Sequence, residues 1–360
     1  MAAHFQFAVS VIRPDGSAVG TPAIHDDFVP ARECTRHEAD RRGLIPAGVS
    51  TRCGVTPLWH PQAGPPCVSG FRVSLEGDGR ELAARDFPLA YFRNSAHRMT
   101  SHWVGRGLLT AGETVLFLVR ALPAPAPAPA AAARFSVDVE RMASPMDERC
   151  GADYLAQAAP FGAIHPADAA VFVPQHVLDE TAARTRSAGS RETGGALVGH
   201  LRRDSAAPDI FLEVTAQIPA EHAEAGLMQL GFTPSTWTAM RAALERRGRG
   251  ELLLGWWHSH SFRKEICKDC RPDPSRHCSA AFLSQEDLLL HRTVFSAAHT
   301  IALVNGDTPC SGLEHALFGW REGVMAARGF HILGAAPRGD LQSNDSETTS
   351  AQEGAAYAAR

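Results

Sequence analysis

From Glu251 to His291 the chain reads ELLLGWWHSHSFRKEICKDCRPDPSRHCSAAFLSQEDLLLH, and this stretch constrains the fold more than any other. It opens with an apolar run, Leu252 to Trp257 broken by one glycine, the pattern of a strand buried on both faces. At the end of that run stand His258-Ser259-His260. On an extended backbone residues i and i+2 point the same way, so both imidazoles can converge on one ion. Further on, Ser284-Gln285-Glu286-Asp287 reads as a helix start that brings a carboxylate. Two histidines and an aspartate leave the fourth position of a tetrahedral zinc open for water, as a catalytic zinc requires. Each piece also has an ordinary structural role. An H-x-H at a strand end is usually surface or core histidine, and Ser284 to Asp287 forms a capping box with Leu283 and Leu288 as its staple.

Taken together, GWWHSH, then AFLSxxDLxxH, then an upstream Glu192-Thr193-Gly194-Gly195-Ala196-Leu197-Val198-Gly199 form a three-part pattern. The pattern resembles the JAMM metalloprotease family, also called the MPN-plus or JAB domain, of the type found with bacterial ubiquitin-like systems. The resemblance covers residues 165 to 335. It implies an α/β fold around a curved β-sheet flanked by helices, with zinc at one end and cleavage of peptide or isopeptide bonds at the C-termini of ubiquitin-like proteins. By that match His258, His260 and Asp287 are the zinc ligands, Glu192 the general acid/base, and Ser284 a helper for the oxyanion. It also implies that a ubiquitin-like protein or its conjugates is the partner, alongside activating or conjugating enzymes of the same system. Two features depart from the family pattern. Ser261 stands where the family has proline, and a long insert, Ser261 to Leu283, separates the second histidine from the serine.

Within that insert Cys267-Lys268-Asp269-Cys270 and His277-Cys278 have the spacing of a zinc knuckle. Such a loop has too few apolar side chains to hold itself, and a second, structural zinc would staple it. Adjacent His277 and Cys278 rarely share one ion, so Cys310 is a candidate for the remaining ligand. A flexible loop with free thiols is the alternative.

At 360 residues, two domains are expected, and 44% hydrophobic with 21% charged residues is the composition of a folded soluble chain. A net charge of −4 gives no electrostatic reason to expect nucleic acid as a partner. No apolar run is long enough to span a membrane, and MAAHFQFAVSVIRPDG lacks the basic and apolar regions of a signal peptide. Eight cysteines in a chain this long point to metal and free thiols in a reducing, cytoplasmic setting. Cys34, Cys53 and Cys67, with His60 nearby, lack paired spacing and read as free thiols.

Residues 1–147 read as a separate β-rich domain of unknown role. Phe7 to Val11 alternates toward an Asp15-Gly16 turn, Phe71 to Leu75 alternates before Asp78-Gly79, and Thr114 to Leu122 is a further strand. The alternating Phe135, Val137 and Val139 add another. The tract Pro123 to Ala133 reads either as a linker or as a long loop inside a hairpin. The loop is the reading adopted, with the domain boundary at Asp147 to Gly162.

In the second domain, 163–334, Val177, Leu178, Thr181, Ala182 and Thr185 repeat at helical spacing, and Ile210 to Ile218 alternates as a strand. Gly194 and Gly195 are expected to let backbone approach closely where substrate must pass. His222 to Gly231 reads as a flexible loop, with Met228 and Leu230 semi-exposed. Thr233-Pro234 starts a helix buried through Trp237, Met240 and Leu244 and ended by Gly248. His299 to Val304, Leu313 to Trp320 and part of Gly323 to Leu333 read as strands, and 335–360 as a disordered tail.

The expected activity is that of a zinc-dependent hydrolase. Two other classes compete with it. One is a non-catalytic scaffold of the same fold, which would usually lack the glutamate or a ligand. The other is a zinc deaminase, which needs H-x-E and P-C-x-x-C, whereas this chain has H-S-H and an Ile266 before Cys267.

Overall fold

The computed structural model describes residues 5–46, 49–124, 146–220, 224–225, 230–260, 279–308 and 312–334. The cysteine insert 261–278, Cys310, the Pro-rich tract from 125, the strand expected at Phe135 to Val139, and the tail 335–360 lie outside them. Among these residues, 5–39 and 44–124 form one compact unit, and 40–43 with 146–334 form another. The whole is a β-rich mixture of strands and a few helices. Among the described residues no helix is long and apolar enough to cross a membrane.

The first unit contains β1 (Phe5–Ile12), β2 (Ala18–His25), α1 (Val29–Arg41), β3 (Thr51–Trp59), β4 (Val68–Gly77), β5 (Arg80–Pro88), a 3-10 turn at Leu89–Phe92, α2 (Arg93–Gly105) and β6 (Leu116–Pro123). The strands form two three-stranded antiparallel sheets, β2-β1-β6 and β3-β4-β5. The β4–β5 turn is Asp78-Gly79, both at positive φ (51° and 75°), the backbone a two-residue hairpin needs to match strand twist. Phe7, Phe28, Phe71, Phe87, Tyr91 and Phe92 are buried and meet edge-to-face or stacked, forming an aromatic core. Among the described residues Cys53, Cys67 and Cys150 are free thiols, and Cys34 is buried.

The second unit is organised on one mixed, curled sheet. Its elements are β7 (Asp147–Arg149), α3 (Gly151–Leu155), β8 (Ala158–Phe161), β9 (Val171–Pro174), α4 (Gln175–Ala188), β10 (Gly194–Asp204), β11 (Ile210–Pro219), β12 (Glu224–Ala225), β13 (Leu230–Gly231), α5 (Pro234–Arg247), β14 (Leu252–His260), α6 (Gln285–Val294), β15 (Ile301–Thr308), β16 (Gly312–Arg321), β17 (Val324–Arg328) and β18 (Phe330–Leu333). The strand order is β17-β16-β15-β14-β10-β11-β9-β18-β8, with β7 also paired to β10. Because β7 and β8 join this sheet, residues 147–161 lie in the second unit. The signal is weak in sequence because β7 is three exposed residues held by parallel pairing to Arg202–Asp204 and by an ion pair from Arg202 to Asp147.

Core packs on both sides of β14. Leu254 and Trp257 join a cluster with Val177, Leu178, Leu197 and Leu303, whereas Trp256 faces another with Leu283, Phe295 and Phe318. Helix α4 buries the residues its periodicity named, Val177, Leu178, Thr181, Ala182 and Thr185. Helix α5 starts at the Thr233 cap, whose side chain accepts from Thr236 N–H, with proline next, and ends at Gly248 in the left-handed region. Where a loop was expected at His222 to Gly231, Glu224–Ala225 and Leu230–Gly231 pair antiparallel; Met228 and the Leu230 side chain lie outside the described residues.

Gly195 does allow a close backbone approach, as expected. A β-carbon there would lie 2.2 Å from the Ile218 carbonyl oxygen and 2.8 Å from the Trp257 indole nitrogen. This close approach is to a neighbouring strand and a core tryptophan. Gly255 likewise lets β14 lie against the Ile301 backbone of β15.

Candidate metal centre

Three elements meet at the end of β14. That strand lies between β10 (antiparallel) and β15 (parallel), and seven consecutive residues, Leu254 to His260, are buried. Trp256, His258 and His260 alternate onto one face, as period two requires. Across from them α6 presents Asp287 in its first turn.

The cap of α6 explains how Asp287 is aimed. Ser284 is the N-cap; its Oγ accepts from Asp287 N–H at 3.1 Å, and Asp287 Oδ2 accepts from Ser284 N–H at 2.8 Å. This reciprocal capping box removes the carboxylate's rotational freedom. Leu283 and Leu288, on either side of it, share the cluster beneath. Capping and site-building are therefore one feature.

The lone-pair atoms of His258, His260 and Asp287 lie within 4.8 Å of one another. In detail, His258 Nε2 is 3.0 Å from His260 Nε2, and Asp287 Oδ2 is 3.3 Å and 3.5 Å from the two nitrogens. Ligands at about 2.0–2.1 Å from a tetrahedral zinc are separated by about 3.3 Å, so these three atoms are spaced close to the edges of such a tetrahedron. His260 Nδ1 lies 2.8 Å from the Ala280 carbonyl oxygen. A carbonyl only accepts, so Nδ1 carries the proton and Nε2 presents its lone pair to the site. On His258 the outer nitrogen, Nδ1, has no hydrogen-bond partner among the described residues. Three lone-pair atoms this close repel one another unless a proton or a metal cation sits among them. Burial pushes the His258 imidazole below its usual range against the pull of Asp287, which disfavours the proton. Burial alone would raise the Asp287 carboxyl; positive charge placed at the adjoining histidines, together with the Ser284 hydrogen bond, lowers it below the usual carboxylate range. The donor set fits a divalent cation.

Glu192 reaches the same end of the sheet through β10. Gly194 pairs with His258, Ser259 N–H donates to Thr193 O at 2.8 Å, and Thr193 N–H donates to Ser259 Oγ at 3.1 Å. Glu192 lies two residues before β10, next to the Thr193 that Ser259 holds. Glu192 is 6% exposed. Ser259, which lies between the two histidines, thus ties the glutamate's strand to theirs. Sequence reasoning gave Ser259 no role. Nor did it give one to Ala280, whose carbonyl orients His260, or to His291, the last residue of the quoted motif. The candidate knuckle residues Cys267, Cys270, His277 and Cys278 lie outside the described residues.

No protein-family model matches this chain, and no curated protein matches it. Among solved structures, the solution structure of protein DSY2949 from Desulfitobacterium hafniense matches at 18% identity, covering 45% of this chain and 92% of that one, with a TM-score of 0.29.

Proposed function

We propose that the second unit is a JAMM-type zinc hydrolase that cleaves peptide or isopeptide bonds at the C-termini of ubiquitin-like proteins. The observation that carries the reading is the spacing of His258 Nε2, His260 Nε2 and Asp287 Oδ2, which is close to the edge length of a tetrahedral zinc site. The sequence resemblance supplies the substrate class. Zinc held by these residues would polarise a carbonyl and lower the pKa of a water from 15.7 to about 7. Glu192 takes the proton from the attacking water and returns it to the departing amine. The Ser284 hydroxyl donates toward the developing oxyanion while its lone pair caps α6.

The test uses full-length protein. Wild type should carry zinc that is lost in His258→Ala and in Asp287→Ala, and it should cleave a ubiquitin-like protein bearing a fluorogenic or isopeptide-linked C-terminus. Glu192→Gln keeps shape and hydrogen bonding but cannot take the proton, so zinc should stay and turnover should fall by roughly two to four orders of magnitude. Turnover that survives complete metal removal would sink the reading. Zinc bound without turnover on any such conjugate would favour a scaffold of the same fold.

A further inference from the structure

Among the described residues, polar side chains join β14 and α6 at the metal centre and again one turn further along the helix. At the other, Trp256 Nε1–H donates to His291 Nδ1 at 3.0 Å, and both residues are completely buried. An indole N–H can only donate, so His291 Nδ1 holds the lone pair and Nε2 carries the proton. That proton faces Thr300 Oγ1 at 3.3 Å, and the Thr300 hydroxyl donates in turn to the backbone carbonyl oxygen of Phe295 at 2.5 Å or of Ala297 at 2.7 Å. Each buried donor in the chain has an acceptor, which fixes one tautomer and one ring orientation for His291. Burial supports this by pushing the imidazole down to about 3, so it stays neutral at physiological pH.

The spacing of the two contacts gives the interaction its consequence. Trp256 and His258 are two residues apart on a strand, about 6.7 Å along it. Asp287 and His291 are four apart on a helix, one turn apart on the same face, with β-carbons about 5–6 Å from each other. The helix therefore meets the strand through two rungs of nearly equal separation, Asp287 to His258 and His291 to Trp256. The Trp256 ring also stacks on His258, with centroids 4.4 Å apart and planes 10° from parallel. A single hydrogen bond from α6 thus reaches a metal ligand through the ring it stacks on.

We propose that His291 is a positioning residue: by gripping Trp256 it sets the rise and rotation of α6 against β14, and so holds Asp287 at the two histidines before any ion arrives. The proposal rests on the metal reading above but needs no substrate. It separates two roles that the motif runs together, ligands that hold the ion and a group that holds the ligand-bearing elements in register.

The experiment measures zinc affinity of the full chain by competition with a chromophoric chelator, taking the component that disappears in His258→Ala as this site. His291→Leu removes the acceptor while leaving an apolar side chain; His291→Gln restores an amide oxygen for the indole and an N–H for Thr300. Affinity should fall about 10- to 100-fold in His291→Leu, the range usual when a group that orients metal ligands is removed. It should return to within about threefold of wild type in His291→Gln. In zinc-free protein the Trp256 indole N–H should give a protected NMR signal in wild type and the Gln variant and an exchanging one in the Leu variant. Should His291→Leu fail to fold, Thr300→Val, which removes the acceptor for His291 Nε2–H, serves instead, with an expected loss of three- to tenfold. A folded His291→Leu, or Thr300→Val in its place, that binds zinc as tightly as wild type overturns the proposal alone. A wild type that takes no zinc at this site removes the metal reading and the proposal with it.

Discussion

His291 shows how much one buried imidazole determines. Its pKa is pushed by burial from an ordinary 6.5 to about 3. The folded protein therefore resists a proton that the unfolded chain accepts. The stability linked to this residue is fully present above about pH 6.5 and is lost as pH falls toward 3. His258 is shifted in the same direction, chiefly by burial, so the fold as a whole should weaken on mild acidification. Comparing wild type with His291→Gln isolates one proton, because the other histidines are common to both. Urea unfolding at pH 7.5, 6 and 5 should show the wild type losing stability faster between pH 6 and 5, by up to about 1.4 kcal/mol per pH unit. Parallel pH profiles would mean that His291 is not buried neutral. None of this is visible in the sequence, where His291 is the end of a motif and an ordinary residue in the last turn of a helix. The tautomer chain through Trp256 and Thr300 exists only once β14, α6 and the loop after it have met.

At the scale of elements, α6 does two jobs with one sequence. Ser284 Oγ caps the helix through Asp287 N–H, yet the Asp287 carboxylate is held by the Ser284 backbone N–H, which any residue supplies. Ser284→Ala should therefore cost about 1 kcal/mol in stability, as lost caps do, while zinc affinity changes only a few-fold. A far larger drop in turnover than in stability would mark the hydroxyl as a contact with reacting atoms; equal small losses would mark it as a cap alone. Elements with strong local signals were legible in advance. The apolar run of β14, the period of α4, the Thr233-Pro234 start of α5 and the Asp78-Gly79 turn each encode their own backbone. Helix α1 was missed because it buries small or polar residues, Pro30, Ala31, Cys34, Thr35 and Ala39, and shows no large apolar stripe. Strand β7 was missed because three exposed charged residues carry no period. Gly195 was legible as a close approach, but its neighbours, the Ile218 carbonyl and the Trp257 indole, are set by strand order, which no local pattern reveals.

Across the whole molecule, the two units hold their cores in different ways. The first relies on an aromatic cluster around Phe7 and Phe71; the second relies on one large sheet with helices packed against it. The candidate metal centre draws all its ligands from the second. A cation that binds only the native state adds about 2.7 kcal/mol at a hundred times its Kd, so zinc should raise the unfolding midpoint of the second unit, and His258→Ala should abolish the gain. Four of the six tryptophans, Trp237, Trp256, Trp257 and Trp320, lie in that unit and report the transition by fluorescence. Strand β14 also governs how fast an ion could come and go. It is interior, bonded on one side to β10 and on the other to β15, so its amide hydrogens from Trp256 to His260 should exchange with solvent only when the whole unit unfolds. Asp287 sits instead in the first turn of a ten-residue helix, whose end frays at far smaller cost. Were an ion held here, its release would be expected to follow opening of the first turn of α6 rather than any movement of β14.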